Sequence, residues 1–329
     1  MSSPIEQKRS RFLPIPRMVA EAKEQSQGHS LIVEVLIFVL LYIIGSVLLQ
    51  GIVTVVGAVL LGAYNEMFQT ISESGGNLST GQINQLTSDV VSSPAMLVFS
   101  LFSTAVSIVT VLIYCRYIEK RKLATLGYRS RNFISEYCTG LFVGTLLFGT
   151  GVAICYLTGN MQFMGISASI PWGLLALFLL GFMVQGMNEE LMCRGYFLVS
   201  MSRKQALPIA MLINSIAFSL LHIFNPNITL LAIINLFLFG IFASIYFLKR
   251  GNIWGVAAMH TAWNFVQGNV FGISVSGMET STTIFSFVPT VDGTLLNGGA
   301  FGLEGGLAIT LVLVVGSVIM LLTKSKQVA

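Results

Sequence analysis

Eight apolar stretches dominate the chain, at about 31 to 61, 95 to 117, 134 to 158, 170 to 198, 207 to 224, 228 to 248, 252 to 271 and 306 to 323. A helix needs about 20 apolar residues to cross roughly 30 Å of hydrocarbon. Most of the stretches meet that length, the first and fourth exceed it, and the fifth is short. Within lipid a spanning segment must satisfy its own backbone hydrogen bonds, so runs of this length form helices. The expected fold class is all-α: a polytopic membrane protein of about eight transmembrane helices. Composition agrees, since 54% of the 329 residues are hydrophobic and only 10% are charged, against about 25% charged in a soluble domain. That excludes soluble-enzyme, disordered and nucleic-acid-binding readings. The bilayer is the first partner, and no nucleic acid is expected.

The 18 Lys and Arg residues occupy alternate connections. Lys8, Arg9, Arg11, Arg17 and Lys23 precede the first span, and Arg116, Lys120, Arg121, Lys122, Arg129 and Arg131 lie between the second and third. Arg194, Arg203 and Lys204 belong with the end of the fourth, Lys249 and Arg250 follow the sixth, and Lys324 and Lys326 close the chain. Segments 64–94, 159–169, 225–227 and 272–305 hold no base and carry Glu66, Glu73, Asp89, Glu279, Asp292 and Glu304. Basic connections face the cytoplasm, which predicts cytoplasmic termini. The base-free segments, rich in Gly, Ser, Thr and Asn, read as loops.

The expected organisation is a polar cytoplasmic segment 1–30, three N-terminal helices with their loops over 31–169, a core over 170–271, an outer loop over 272–305, and a last helix with its tail over 306–329. Residues 1–30 lack the apolar centre of a cleavable signal peptide, so the first span is expected to serve for targeting. Cys115, Cys138, Cys155 and Cys193 follow neither disulfide nor metal spacing and read as small apolar residues. Gly140, Gly144, Gly149 and Gly151 include small-x-x-x-small spacing, which suits close helix contact within the chain and, less directly, a homodimer.

An ionisable side chain at mid-membrane costs about 2.5 to 3.5 kcal/mol on insertion, so those retained need a partner or a task. Glu189, Glu190 and Arg194 lie in the fourth stretch, His222 in the fifth, and His260 and Asn264 in the seventh. Glu190 and Arg194 are spaced for an intrahelical ion pair, whereas Glu189 points about 100° away and is left free of Arg194. The midpoint between Glu189 and His222 falls beside Arg203, Lys204 and Pro208, so an antiparallel hairpin turning there sets the two at one depth. His260 and Asn264 share a face of their helix.

Four groups can thus converge. A carboxylate and an imidazole can deprotonate a water, and two further donors can stabilise an oxyanion. Glu189, His222 and His260 also form a candidate zinc set, and spacing leaves the metal and metal-free schemes equally open. No H-E-x-x-H pattern is present. The competing readings are a Glu–Arg structural clasp, an Asn that joins helices, and the proton path of a secondary transporter. Cys193 as a thiol nucleophile is disfavoured, because it is offset from the glutamates.

Glu189-Glu190-Leu191-Met192-Cys193-Arg194, Phe218 to His222, and His260 to Asn264 resemble the E-E-x-x-x-R, F-x-x-x-H and H-x-x-x-N motifs of the CPBP family, the CAAX-processing and bacteriocin-processing (Abi-type) intramembrane endopeptidases. The resemblance covers about 175 to 270. It implies an endopeptidase, classed as a metallopeptidase, in which Glu189 and His222 activate water, His260 and Asn264 stabilise the oxyanion, and Glu190 and Arg194 support them. It also implies a peptide or membrane-anchored protein as substrate and a multi-pass bacterial plasma-membrane protein, with a non-catalytic immunity or regulatory scaffold of the same family as the alternative.

Overall fold

The computed structural model describes residues 15–280, 282–291 and 294–325. Lys8, Arg9, Arg11, Asp292, Lys326 and the Glu66 side chain lie outside the described residues. The molecule is a helical membrane protein in which all eight apolar stretches are helical. Five helices are long and apolar enough to cross a membrane: α2 (Leu31–Leu60), α5 (Pro94–Ile118), α6 (Phe133–Leu157), α7 (Trp172–Ser202) and α9 (Leu230–Arg250). The fifth and eighth stretches form the shorter α8 (Leu207–Leu220) and α11 (Leu307–Leu322). The seventh forms α10 (Ile253–Phe265), continued by a π turn over Val266–Val270. With 14 residues, α8 extends only about 21 Å at 1.5 Å per residue. It ends before His222, which stands in the turn that follows.

The polar N-terminal segment contains the helix α1 (Arg17–Gln25), which buries Met18, Val19 and Ala22 on one face. Three expectations for the connections need correction. Segment 64–94 is largely helical, with α3 (Asn65–Glu73) and α4 (Thr80–Ser92). There Ser79 accepts from the Gln82 backbone while the Gln82 side chain accepts from that of Ser79, a capping box. Segment 159–169 supplies strand β1 (Met161–Ile166), and segment 272–305 supplies its antiparallel partner β2 (Phe285–Pro289), with Met161 opposite Pro289 and Ile166 opposite Phe285. β2 alternates Phe285, Ser286 and Phe287, but β1 has only Phe163 and is interrupted by Gly165, so the Gly and Ser around both strands dominate the sequence pattern.

Connections gather at two ends. Arg203 bonds Glu34 at the start of α2 and Glu119 after α5, each at 2.7 Å, and Arg121 bonds Glu119 at 2.6 Å. Arg250 at the end of α9 bonds Glu136 at the start of α6 at 2.7 Å. The base-bearing ends of α2, α5 and α7 therefore meet in one cluster, and those of α6 and α9 in another. At the other end lie the sheet, the turn after α8 and a tight bend at Ser276-Gly277, where the Gly277 N–H donates to the Phe301 carbonyl at 2.8 Å.

The core helix α10 reverses sharply from α9 through Gly251, whose φ of 64° suits a residue without Cβ. Asn252 then caps α10 by accepting from the Trp254 N–H at 2.8 Å. α10 is wedged between α6 and α7 at glycines. A Cβ at Gly140 would strike the Gly255 carbonyl, one at Gly144 the Met259 carbonyl, and one at Gly186 would lie 3.0 Å from the Ala257 carbonyl. Gly140 and Gly144 thus serve packing within the chain, and Gly144 touches the residue before His260. Gly144→Val is expected to destabilise the protein by about 1 to 3 kcal/mol, read as a lowered unfolding midpoint in detergent, whereas Gly149→Ala, whose Cβ would meet no atom of another element within 4 Å, should hold or slightly raise the midpoint, since Ala is the better helix former.

Candidate active site

α7 brings one polar face into the bundle, and its winding changes to a π turn over Leu191–Leu198, directly after Glu190. Such turns are frequent at functional sites because they shift the face that later residues present. The connection at residues 203–206 sends α8 back antiparallel, and it delivers His222 to Glu189, with Nε2 3.9 Å from Glu189 Oε2. From α10, His260 Nε2 approaches the same oxygen at 3.7 Å. Glu189 Oε2 is buried and has no hydrogen-bond partner among the described residues.

The far nitrogens of both rings are fixed. His222 Nδ1 lies 2.8 Å from the Phe218 carbonyl. A carbonyl only accepts, so Nδ1–H donates and a neutral ring leaves its lone pair on Nε2. His260 Nδ1 lies 2.8 Å from Glu190 Oε1 and donates to that carboxylate, with the same result. With both rings neutral, two imidazole lone pairs and a carboxylate oxygen face one another. Three acceptors at this spacing call for an occupant that brings hydrogens or positive charge.

Glu190 is the structural member of the adjacent acids. It and Arg194 are fully buried and paired at 2.8 Å. The guanidinium lies 4.4 Å from the Phe218 ring centre and 5.9 Å from that of Phe239, a cation–π arrangement. Phe239 meets His260 edge-on at 4.9 Å, and Phe218 packs on His222 at 4.8 Å. The Phe of the second motif thus has two tasks: its ring covers Arg194 and its carbonyl sets the His222 tautomer.

Gln185 is a site residue that the motifs did not reveal. Its Nε2 donates to Glu189 Oε1, while its Oε1 accepts from Asn264 Nδ2 at 3.0 Å. Asn264, expected to face an oxyanion, thereby also orients the amide that holds Glu189. The i, i+4 relation of Gln185 to Glu189 is the signal that could have found it. Asn188, Phe239 and, from α2, Tyr42 also border the site, and none lies within a motif. Cys193 is buried on the same face of α7. All of these line a cavity of about 390 Å³ that reaches Glu304 at the base-free end.

Residues 171–266 match the family model of the Type II CAAX prenyl endopeptidases, Rce1-like. The matched segment spans α7 to α10 and includes Glu189, Glu190, Arg194, His222, His260 and Asn264. It bears out the family resemblance of the three motifs and supports intramembrane proteolysis as the general function. No curated protein and no solved structure matches the chain.

Proposed function

We propose that this protein is an intramembrane endopeptidase that hydrolyses a peptide bond of a peptide or membrane-anchored protein, with Glu189 as the base that activates water. The observation that carries this reading is the unpartnered Glu189 Oε2 facing Nε2 of both His222 and His260 at 3.9 and 3.7 Å. A water seated among these atoms can donate one hydrogen to Glu189 and one to an imidazole, which turns its lone pair toward a substrate carbonyl. As the water attacks, its proton passes to Glu189. Delivery of that proton to the leaving amine follows, as general acid–base reciprocity requires. Gln185 keeps the carboxylate aimed through Oε1, and the second N–H of Asn264 is available to the developing oxyanion.

By residue type the same donor set suits zinc, with two imidazoles whose Nδ1–H groups are held by a carbonyl and a carboxylate, together with the Glu189 oxygen. The two imidazoles stand farther apart than the 4.8 Å ligand spacing met by His29, Glu34 and Glu119 and would have to draw together around an ion. Glu189, His222 and His260 would hold the ion, which when bound supplies Lewis acidity to water or to the scissile carbonyl. In either case Glu190 and Phe218 fix the tautomers, and Arg194 holds Glu190 in place through their 2.8 Å pair.

A C-terminal Cys-aliphatic-aliphatic-X peptide carrying an isoprenoid on its Cys fits the family match, with the bilayer taking up the lipid. The base-bearing connections favour cytoplasmic termini, and we assign the protein to a plasma membrane. The test is cleavage by the purified protein in proteoliposomes of quenched fluorescent peptides, some farnesylated with that C-terminus and some apolar and unprenylated. Cleavage within the three residues after a farnesylated Cys is the expected result. No cleavage of any peptide would defeat the reading.

A further inference from the structure

Two polar walls face each other across the cavity. On α7, Gln185, Asn188, Glu189 and Cys193 line it at helical spacing. On α2, Tyr42, Ser46 and Gln50 line it, each four residues from the next. Such a series drifts about 40° per step on an α-helix. The π turn at Ile43–Leu49 winds with more residues per turn and offsets the drift, so all three reach the cavity. α2 is the most apolar and least buried of the five long helices, which makes its polar row the more notable. Ser46 is engaged with Ser107 at 3.0 Å.

Asn188 supplies an independent observation. It is 7% exposed, lines the cavity, and its Oδ1 is buried with no partner among the described residues. An amide acceptor left in this state carries a penalty that a ligand N–H would remove. A peptide bond becomes open to attack only after its segment leaves the helix, and the freed backbone N–H and C=O groups then need partners in a site poor in water.

We propose that Asn188, with Tyr42 and Gln50 across the cavity, forms a backbone-binding subsite that holds an extended polypeptide segment beside Glu189. Asn188 Oδ1 accepts from a substrate N–H, and the Asn188, Gln50 and Tyr42 donors take substrate carbonyls. The inference rests on the peptidase reading and adds the conformation of the substrate and the residues that impose it.

The test uses the full chain in proteoliposomes, the fastest-cleaved peptide of the panel, and versions of it in which each non-scissile amide flanking the cut is replaced in turn by an ester, removing one N–H. With the wild-type protein, one ester position should lower kcat/KM about 10-fold through KM, the size expected for one buried hydrogen bond. Asn188→Leu should lose a similar factor on the all-amide peptide, with kcat within about 2-fold, and show no further loss at that ester position. Tyr42→Phe should raise KM about 3-fold, and both variants should keep the wild-type unfolding midpoint. If Asn188→Leu does not fold, Asn188→Ala takes its place. A wild-type protein indifferent to every ester, or an Asn188 variant that keeps the full ester penalty, would overturn the subsite. Absence of all cleavage by the wild-type protein would instead sink the peptidase reading beneath it.

Discussion

Glu189→Gln should lower peptide cleavage by about 10²- to 10⁴-fold, the range for loss of a general base, while the unfolding midpoint stays at its wild-type value. Both halves follow from the partners of this side chain. Its Oε1 accepts from Gln185, a bond the neutral amide can still accept. Its Oε2 has no hydrogen-bond partner among the described residues, and Arg194 is committed to Glu190. The substitution therefore strands no cation and opens no void, but it removes the lone-pair base that receives the proton of water. The check is kcat in proteoliposomes together with thermal unfolding in detergent. Full activity in a folded Glu189→Gln protein would remove Glu189 from the chemistry.

The neighbouring acid should behave in the opposite way. Glu190→Ala is expected to destabilise the protein by about 3 to 5 kcal/mol, the cost of breaking a buried ion pair by removing one partner. Arg194 has no exposed side-chain surface, and its other contacts are the Gly240 carbonyl at 3.4 Å and the faces of Phe218 and Phe239. These cannot replace a carboxylate. Combining Glu190→Leu with Arg194→Met removes both charges, so much of the stability should return, since apolar replacement of a buried pair is often neutral. Activity should not return with it, because His260 Nδ1 loses the acceptor that fixes its tautomer. Denaturation curves and cleavage rates of the single and double variants separate these effects. A Glu190→Ala protein as stable as the wild type would contradict the clasp.

The pairing of Glu190 with Arg194 and the turning of Glu189 away from it were legible in the sequence, because helical spacing alone dictates both. The meeting of Glu189 with His222 was legible too, since α7 and α8 form a hairpin about their basic turn. What spacing could not show is side-chain direction across helices. The second contact of His260, with Glu190, depends on how closely α10 approaches α7, and that is set by Gly186 against Ala257 and Thr261. The relay from Asn264 through Gln185 to Glu189 crosses from α10 to α7 by the same approach, so no pattern along one chain segment reveals it. The Tyr42 to Gln50 row was hidden for a different reason. On an α-helix its spacing drifts off one face, and only the π turn in α2 realigns it. The outer elements escaped because a strand pair formed from residues 161–166 and 285–289 has no local partner to announce it.

The most direct measurement is a single turnover of the wild-type protein in water labelled with oxygen-18, with mass analysis of the cleaved peptide and of the enzyme fragment that contains Glu189. Attack by a water held between Glu189 and the two histidines predicts one labelled oxygen in the new C-terminal carboxylate of the product and none in Glu189. Unlabelled product with label appearing in Glu189 would mean that the carboxylate itself attacks, and would contradict its role as a base.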